Sequence, residues 1–75
     1  MNERESFIKL PLTVLLKAAR NDVETVIYKR LQNGKEQVFI LDKDNIILAA
    51  VDVTHMSLHM VARKVICALQ IKEAV

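Results

Sequence analysis

Apolar residues recur at Leu12, Leu15, Leu16, Ala19, Val23, Val26 and Ile27, the i, i+3, i+4, i+7 spacing of one helix face. Lys17, Arg20, Asn21, Glu24, Tyr28 and Lys29 fall outside that stripe. The pattern predicts a long N-terminal helix from about Leu12 to Gln32, with Pro11 at its mouth, where a missing N–H costs nothing. Asn33-Gly34 then supplies residues tolerant of the left-handed conformation that ends a helix. The same segment also reads as two short helices that break at Asn21-Asp22, with Asp22 capping the second. Residues 1–6 are polar and read as a disordered tail. Phe7-Ile8-Lys9-Leu10-Pro11 reads as a short strand or entry segment.

The pattern then changes to runs of β-branched and apolar residues. Gln37 to Leu41 and Asn45 to Val53 are strand-like, and Asp42-Lys43-Asp44-Asn45 between them is turn chemistry, so the pair predicts a β-hairpin. The second run has little polar alternation, as expected of a strand covered on both faces. Thr54 is placed to cap a C-terminal helix running from about His55 to Lys72. Its main apolar stripe is Leu58, Val61, Ala62, Val65 and Leu69. A second stripe, Met56, Met60, Cys67 and Ile71, lies almost opposite. A helix that is apolar on two sides is buried between layers or meets another chain. The fold class expected is therefore α+β: N-terminal helix, β-hairpin and C-terminal helix, as one domain over residues 7–75, completed by homodimerisation.

Composition strengthens the argument for self-association. A chain of 75 residues buries only about 60% of the surface its unfolded form exposes. Cys67 is the only cysteine, so no intrachain disulfide can reinforce the fold, and no Cys/His spacing suits structural zinc. Only Phe7, Tyr28 and Phe39 are aromatic, within a 52% hydrophobic composition. No apolar run approaches the roughly 18 residues of a membrane span, and no secretory h-region follows the N-terminus, so the expected setting is cytoplasmic, without a membrane.

The residues that could carry chemistry do not converge. His55 and His59 are four apart, as a helical metal pair would be, and Met56 and Met60 are soft ligands. No further ligand completes a set, so the pair reads as a polar helix flank and no metal is expected. Cys67 reads as a small packing residue in its apolar stripe, because no activating base is in sequence range. Asp42-Lys43-Asp44-Asn45 resembles the start of a calcium loop but lacks its central Gly and closing Glu, so it reads as a turn. The lone Gly34 excludes a Gly-rich phosphate loop. No catalytic residue and no cofactor is expected, and the chain reads as a binding protein and not an enzyme.

The formal charge of +2 permits nucleic-acid binding without demanding it. Lys9, Lys17 and Arg20 lie near the first half of the predicted first helix, and Lys29, Arg30 and Lys35 near its end. On charge alone, ordinary solubilising charge, balanced by Asp22, Glu24 and Glu36, accounts for them slightly better.

Ala19-Arg20-Asn21, the amphipathic segment to Leu31, Asn33-Gly34-Lys35-Glu36, Val38 to Leu41 and Ala49-Ala50-Val51-Asp52-Val53 succeed one another over residues 7–60. In that order they resemble the prevent-host-death (Phd/YefM) antitoxin family. The turn Asp42 to Asn45, the strand Ile46-Ile47-Leu48-Ala49 and the residues Met56 and Leu58 depart from that family's pattern, and little chain remains for a toxin-wrapping tail. The resemblance implies a homodimeric DNA-binding transcriptional regulator. Lys9, Lys17 and Arg20 would then meet operator DNA, while Met56, Met60, Cys67 and Ile71 would meet a protein partner such as a toxin. The competing expectation is a small protein-binding modulator or inhibitor of a host protein, of the kind a phage encodes. It would dock the second face of the C-terminal helix.

Overall fold

The computed structural model describes residues 3–71. The chain folds as α1 (Glu3–Ala19), β1 (Thr25–Arg30), β2 (Glu36–Leu41), β3 (Ile47–Asp52) and α2 (Leu58–Ala68), an α+β architecture. The strands form an antiparallel sheet in the order β1-β2-β3. Ile8, Leu12 and Leu16 of α1 and Val61, Val65 and Leu69 at α2 share one core with Val26, Tyr28, Val38 and Ile40 of the sheet. Both helices therefore cover the same sheet face.

The first helix differs from the expected one at both ends. It begins at Glu3, so Glu3 to Ser6 form its first turn instead of a tail, and Phe7 to Leu10 are helical. Glu3 and Glu5 sit where the helix dipole favours negative charge. Pro11 lies inside the helix, not at its mouth. Its missing N–H leaves the Phe7 carbonyl without its usual partner, and both residues are solvent-exposed, so water can serve that oxygen. Thr13 Oγ1 donates to the Lys9 carbonyl at 2.6 Å, using one more carbonyl near this irregular turn. Burial of Ile8, Leu12 and Leu16, spaced four apart, outweighs the proline penalty.

At the other end, α1 stops at Ala19, and the next element is a strand in place of the expected helix. Val26 and Tyr28 face the core, while Thr25, Ile27 and Lys29 face the other side of the sheet. Val26 and Ile27 are adjacent apolar residues because the two faces of this sheet are both apolar here, which hides the strand's period of two. Asn33-Gly34 supplies a left-handed residue, as expected, but in the turn between β1 and β2. Gly34 has φ +88°, and Asn33 Oδ1 accepts from the Lys35 N–H at 3.1 Å.

The β2–β3 hairpin forms where its residues predict it. Asp42 Oδ1 accepts from the Asp44 and Ile46 N–H groups at 2.8 and 3.0 Å, and Asn45 takes the left-handed position at φ 61°. These acidic residues thus serve as a turn. A register shift between Ile40 and Leu41 pairs Leu41 with Ile47.

The C-terminal helix is shorter than expected. His55 adopts φ 57°, which no helix tolerates, so the cap falls to Ser57 and not Thr54. Ser57 Oγ accepts from the Met60 N–H at 3.2 Å. Replacing it, Ser57→Ala, is expected to cost about 1 kcal/mol in denaturant unfolding, the ordinary worth of such a cap. At the far end Gln70, at φ 57°, closes a Schellman-type cap. Its N–H donates to the Cys67 carbonyl and that of Ile71 to the Ile66 carbonyl, each at 3.1 Å. Lys72, the expected end of the helix, lies outside the described residues. Among the described residues no helix is long and apolar enough to cross a membrane.

Candidate functional site

Among the described residues one charged side chain is buried. Glu36 opens β2 on the core-facing side, in step with Val38 and Ile40, and is 4% exposed. Arg4 of α1 reaches it with Nε at 2.8 Å and Nη2 at 3.1 Å, a two-pronged contact between guanidinium and carboxylate. The Tyr28 hydroxyl of β1 donates to the same carboxylate. The His55 backbone N–H donates to Oε1 at 2.9 Å. The main chain adds two more ties: the Glu36 N–H donates to Thr54 Oγ1 at 2.9 Å, and the Val53 N–H donates to the Glu36 carbonyl at 2.9 Å. Arg4 Nη2 also donates to the Val53 carbonyl at 3.3 Å.

The Arg4 guanidinium, aided by Tyr28 and the His55 N–H, holds the Glu36 carboxyl at about 2, against an ordinary 4.5, although burial opposes this. Burial and the neighbouring carboxylate raise the Tyr28 phenol, and Glu36 raises Arg4. A cleft of about 350 Å³ borders the cluster, lined by Arg4, Arg30, Glu36 and His55. Both oxygens of the carboxylate are already in use, and an ionised carboxylate with a guanidinium pair has no proton to give or take near neutral pH. The cluster is therefore a clamp that joins α1, β1, β2 and the β3–α2 connection, and it holds His55 in its left-handed conformation.

The clamp is not what the sequence pattern predicts, since Glu36 reads there as a solubilising charge and Tyr28 as the polar side of a helix. One signal is present. Counting back by two from Ile40 and Val38 puts Glu36 on the core side. Nothing in the sequence pairs it with Arg4, which lies 32 residues away.

The three expected DNA-contacting residues are dispersed. Lys9 is half-buried on α1, Lys17 is exposed near its end, and Arg20 lies just past it. Arg20 is engaged within the chain: Nε and Nη2 donate to Asp22 at 2.9 and 2.5 Å, and Nη1 donates to the Leu69 carbonyl at 3.2 Å. That pairing raises Arg20 and lowers Asp22. Of the expected protein-contacting residues, Met60 and Cys67 are exposed on one side of α2, whereas Met56 and Ile71 pack against the core. Cys67 is thus not the packing residue expected. His55 precedes the helix that carries His59, so their four-residue spacing does not align them, and among the described residues no group of His, Cys, Asp and Glu could hold a metal.

The larger feature is an apolar surface on the helical layer. The side of α1 turned away from Ile8, Leu12 and Leu16 carries Phe7, Leu10, Pro11, Val14 and Ala18, all exposed, with Val14 at 73%. Pro11, Leu12 and Leu15 then form one wall of a groove of about 380 Å³ whose other wall is Leu58, His59 and Ala62 of α2. Arg63 lies one turn beyond His59 on α2, and α2 contains no acidic residue. The second apolar stripe expected on the C-terminal helix does not form as one face, since Met56 and Ile71 pack against the core and only Met60 and Cys67 are exposed; the apolar side on α1 is a separate feature that the sequence pattern does not predict.

The chain matches no protein-family model, and no curated protein or solved structure aligns with it.

Proposed function

We propose that this chain is a protein-binding module whose helical layer docks an acidic amphipathic helix of another protein. The carrying observation is the apolar groove between α1 and α2, which adjoins the exposed apolar side of α1 carrying Phe7 and Val14 and is flanked on α2 by Arg63. A helix in a groove offers apolar anchors at i, i+3, i+4 and i+7, which match such a surface. Exposed apolar side chains of this number on a small domain mark an interaction site. Arg63, on a helix with no acidic residue, favours an acidic residue flanking those anchors. A catalytic role has less support, because the buried titratable group is committed to the fold.

The regulator reading rests on Lys9, Lys17 and Arg20. It draws less support from this geometry: Arg20 already serves Asp22 and Leu69, and the apolar stripe gives phosphate oxygens nothing to bond. Two measurements separate these readings. Affinity capture from cells encoding the chain should yield a partner that binds the wild type and Lys43→Glu. That partner should be lost from Val14→Glu and Leu15→Glu, whose positions are exposed and leave the core untouched. Retention of the partner by both groove variants defeats the docking proposal. A gel shift at low salt that Lys17→Glu abolishes, and that Val14→Glu leaves intact, would establish the regulator instead.

A further inference from the structure

The sheet face opposite the helices is uncovered. The register fixes which residues share it. Three rows cross the sheet: Thr25, Leu41 and Ile47; Ile27, Phe39 and Ala50; and Lys29, Gln37 and Asp52. Ile27, Phe39, Leu41 and Ile47 surround a shallow depression of about 250 Å³ with Lys29 and Asn45 at its border. Ile47 is 57% exposed and Ala50 and Lys29 are exposed as well. Across the third row the charges run positive on β1, neutral on β2 and negative on β3.

We infer that two copies of this chain stack these open sheet faces about a two-fold axis parallel to β2. Such an axis exchanges β1 and β3 between facing sheets. Lys29 then lies over the partner subunit's Asp52, and its own Asp52 lies beneath the partner subunit's Lys29. Phe39 and Gln37 lie on the axis and meet their own counterparts, ring against ring and amide against amide, the second a pairing in which each amide can both donate and accept. Ile27 meets the partner subunit's Ala50, a large side chain opposite a small one. Sheets stacked this way keep their strands within about 30° of each other and lie about 10 Å apart, within reach of a lysine.

The charge pattern selects this axis. A two-fold perpendicular to the strands would set Lys29 over the partner subunit's Thr25, burying its charge without a counter-ion, and Asp52 over the partner subunit's Ile47. It also selects the occupant. An apolar ligand would leave Lys29 unmatched, and among the described residues Lys29 has no internal acceptor, whereas a second copy offers it the partner subunit's Asp52. The face is only three strands wide, well below the roughly 800 Å² per partner of a standard interface, so association belongs in the micromolar class.

The test is the solution mass, measured by sedimentation from about 1 µM to 1 mM, of the wild type and of two charge reversals, Lys29→Glu and Asp52→Lys. Wild type should pass from monomer to dimer. Each reversal alone sets like charges over each other twice per dimer and should weaken association about tenfold or more. An equimolar mixture of the two variants restores both pairings and should dimerise as wild type does. A monomeric wild type at 1 mM, or a mixture no better than its components, overturns the inference. Asp52 also accepts from the Thr54 N–H, so Ile47→Glu serves as a second probe at an exposed site with no such role. It should leave a folded monomer. A dimer that survives Ile47→Glu but is lost in Val14→Glu would assign self-association to the helical layer and refute the stacked-sheet arrangement. Because the two surfaces lie on opposite sides of the molecule, failure here leaves the groove proposal standing, and the reverse holds too.

Discussion

Glu36→Ala should destabilise the domain by about 3–5 kcal/mol, the cost of breaking a buried ion pair by removing one member. A domain of this length has only about 4–11 kcal/mol of stability in total. Three groups lose their acceptor at once: the Arg4 guanidinium, the Tyr28 hydroxyl and the His55 N–H. Arg4 keeps 26% of its side-chain surface in water and can rehydrate in part, which places the loss toward the lower end. Tyr28 is 7% exposed, so its hydroxyl is left dry, at about 1–3 kcal/mol for an orphaned polar group. In urea, with a slope of about 1 kcal/mol per molar for a small domain, the midpoint should fall by about 3 M. Glu36→Gln keeps the shape and two acceptor lone pairs while discarding the charge, and should fall between wild type and Glu36→Ala. A shift of less than 1 M for Glu36→Ala would show that the clamp does not hold the elements together.

Legibility of this fold tracks where the energy comes from. Elements specified by local chemistry are visible in the sequence: Asp42 to Asn45 form their turn because the Asp42 carboxylate bonds backbone within four residues. The stripe Val61, Val65 and Leu69 is visible because one helix face alone is buried. The hidden elements are decided by distant contacts. Pro11 argues locally against a helix through it, and burial of Ile8 and Leu12 overrides that argument. Val26 and Ile27 defeat a period-two reading because the sheet has apolar residues on both faces. His55 shortens α2 through a left-handed backbone that the Glu36 carboxylate secures from 19 residues away.

The same division runs through the functional surfaces. The sequence pattern predicts a second apolar side on the C-terminal helix, where only Met60 and Cys67 are exposed, while the exposed apolar side on α1, with Phe7, Leu10 and Val14, goes unpredicted. Reading the segment 7–10 as a strand or entry segment hides that pattern. Lys29 and Asp52 cannot be placed in one row without the register of three strands, since they belong to opposite edges of the sheet.

Acid should expose the clamp quantitatively. A carboxyl held at about 2 in the folded state and at 4.5 in the unfolded chain stabilises the fold in its charged form. That stabilisation is complete above 4.5 and disappears as pH falls through about 2. The displacement is worth about 3 kcal/mol at 1.36 kcal/mol per pKa unit. Unfolding free energy should therefore decline between pH 4.5 and 2, with a slope approaching 1.4 kcal/mol per pH unit. Arg4 and Tyr28 are raised from ordinary values far above this window, so they stay protonated across it and leave the slope to carboxylates. Asp22 and Asp52 are also lowered, by Arg20 and by the Thr54 N–H, and titrate in the same direction. Both are exposed, and salt screens Asp22's pairing with Arg20. Denaturant titrations at pH 5, 4, 3 and 2 in 0.5 M salt, run on wild type and on Glu36→Gln, isolate Glu36 as the difference between the two. Glu36→Gln should flatten most of the decline. A decline that persists unchanged in Glu36→Gln would mean that the acid sensitivity belongs to the surface carboxylates and that the buried pair is energetically silent.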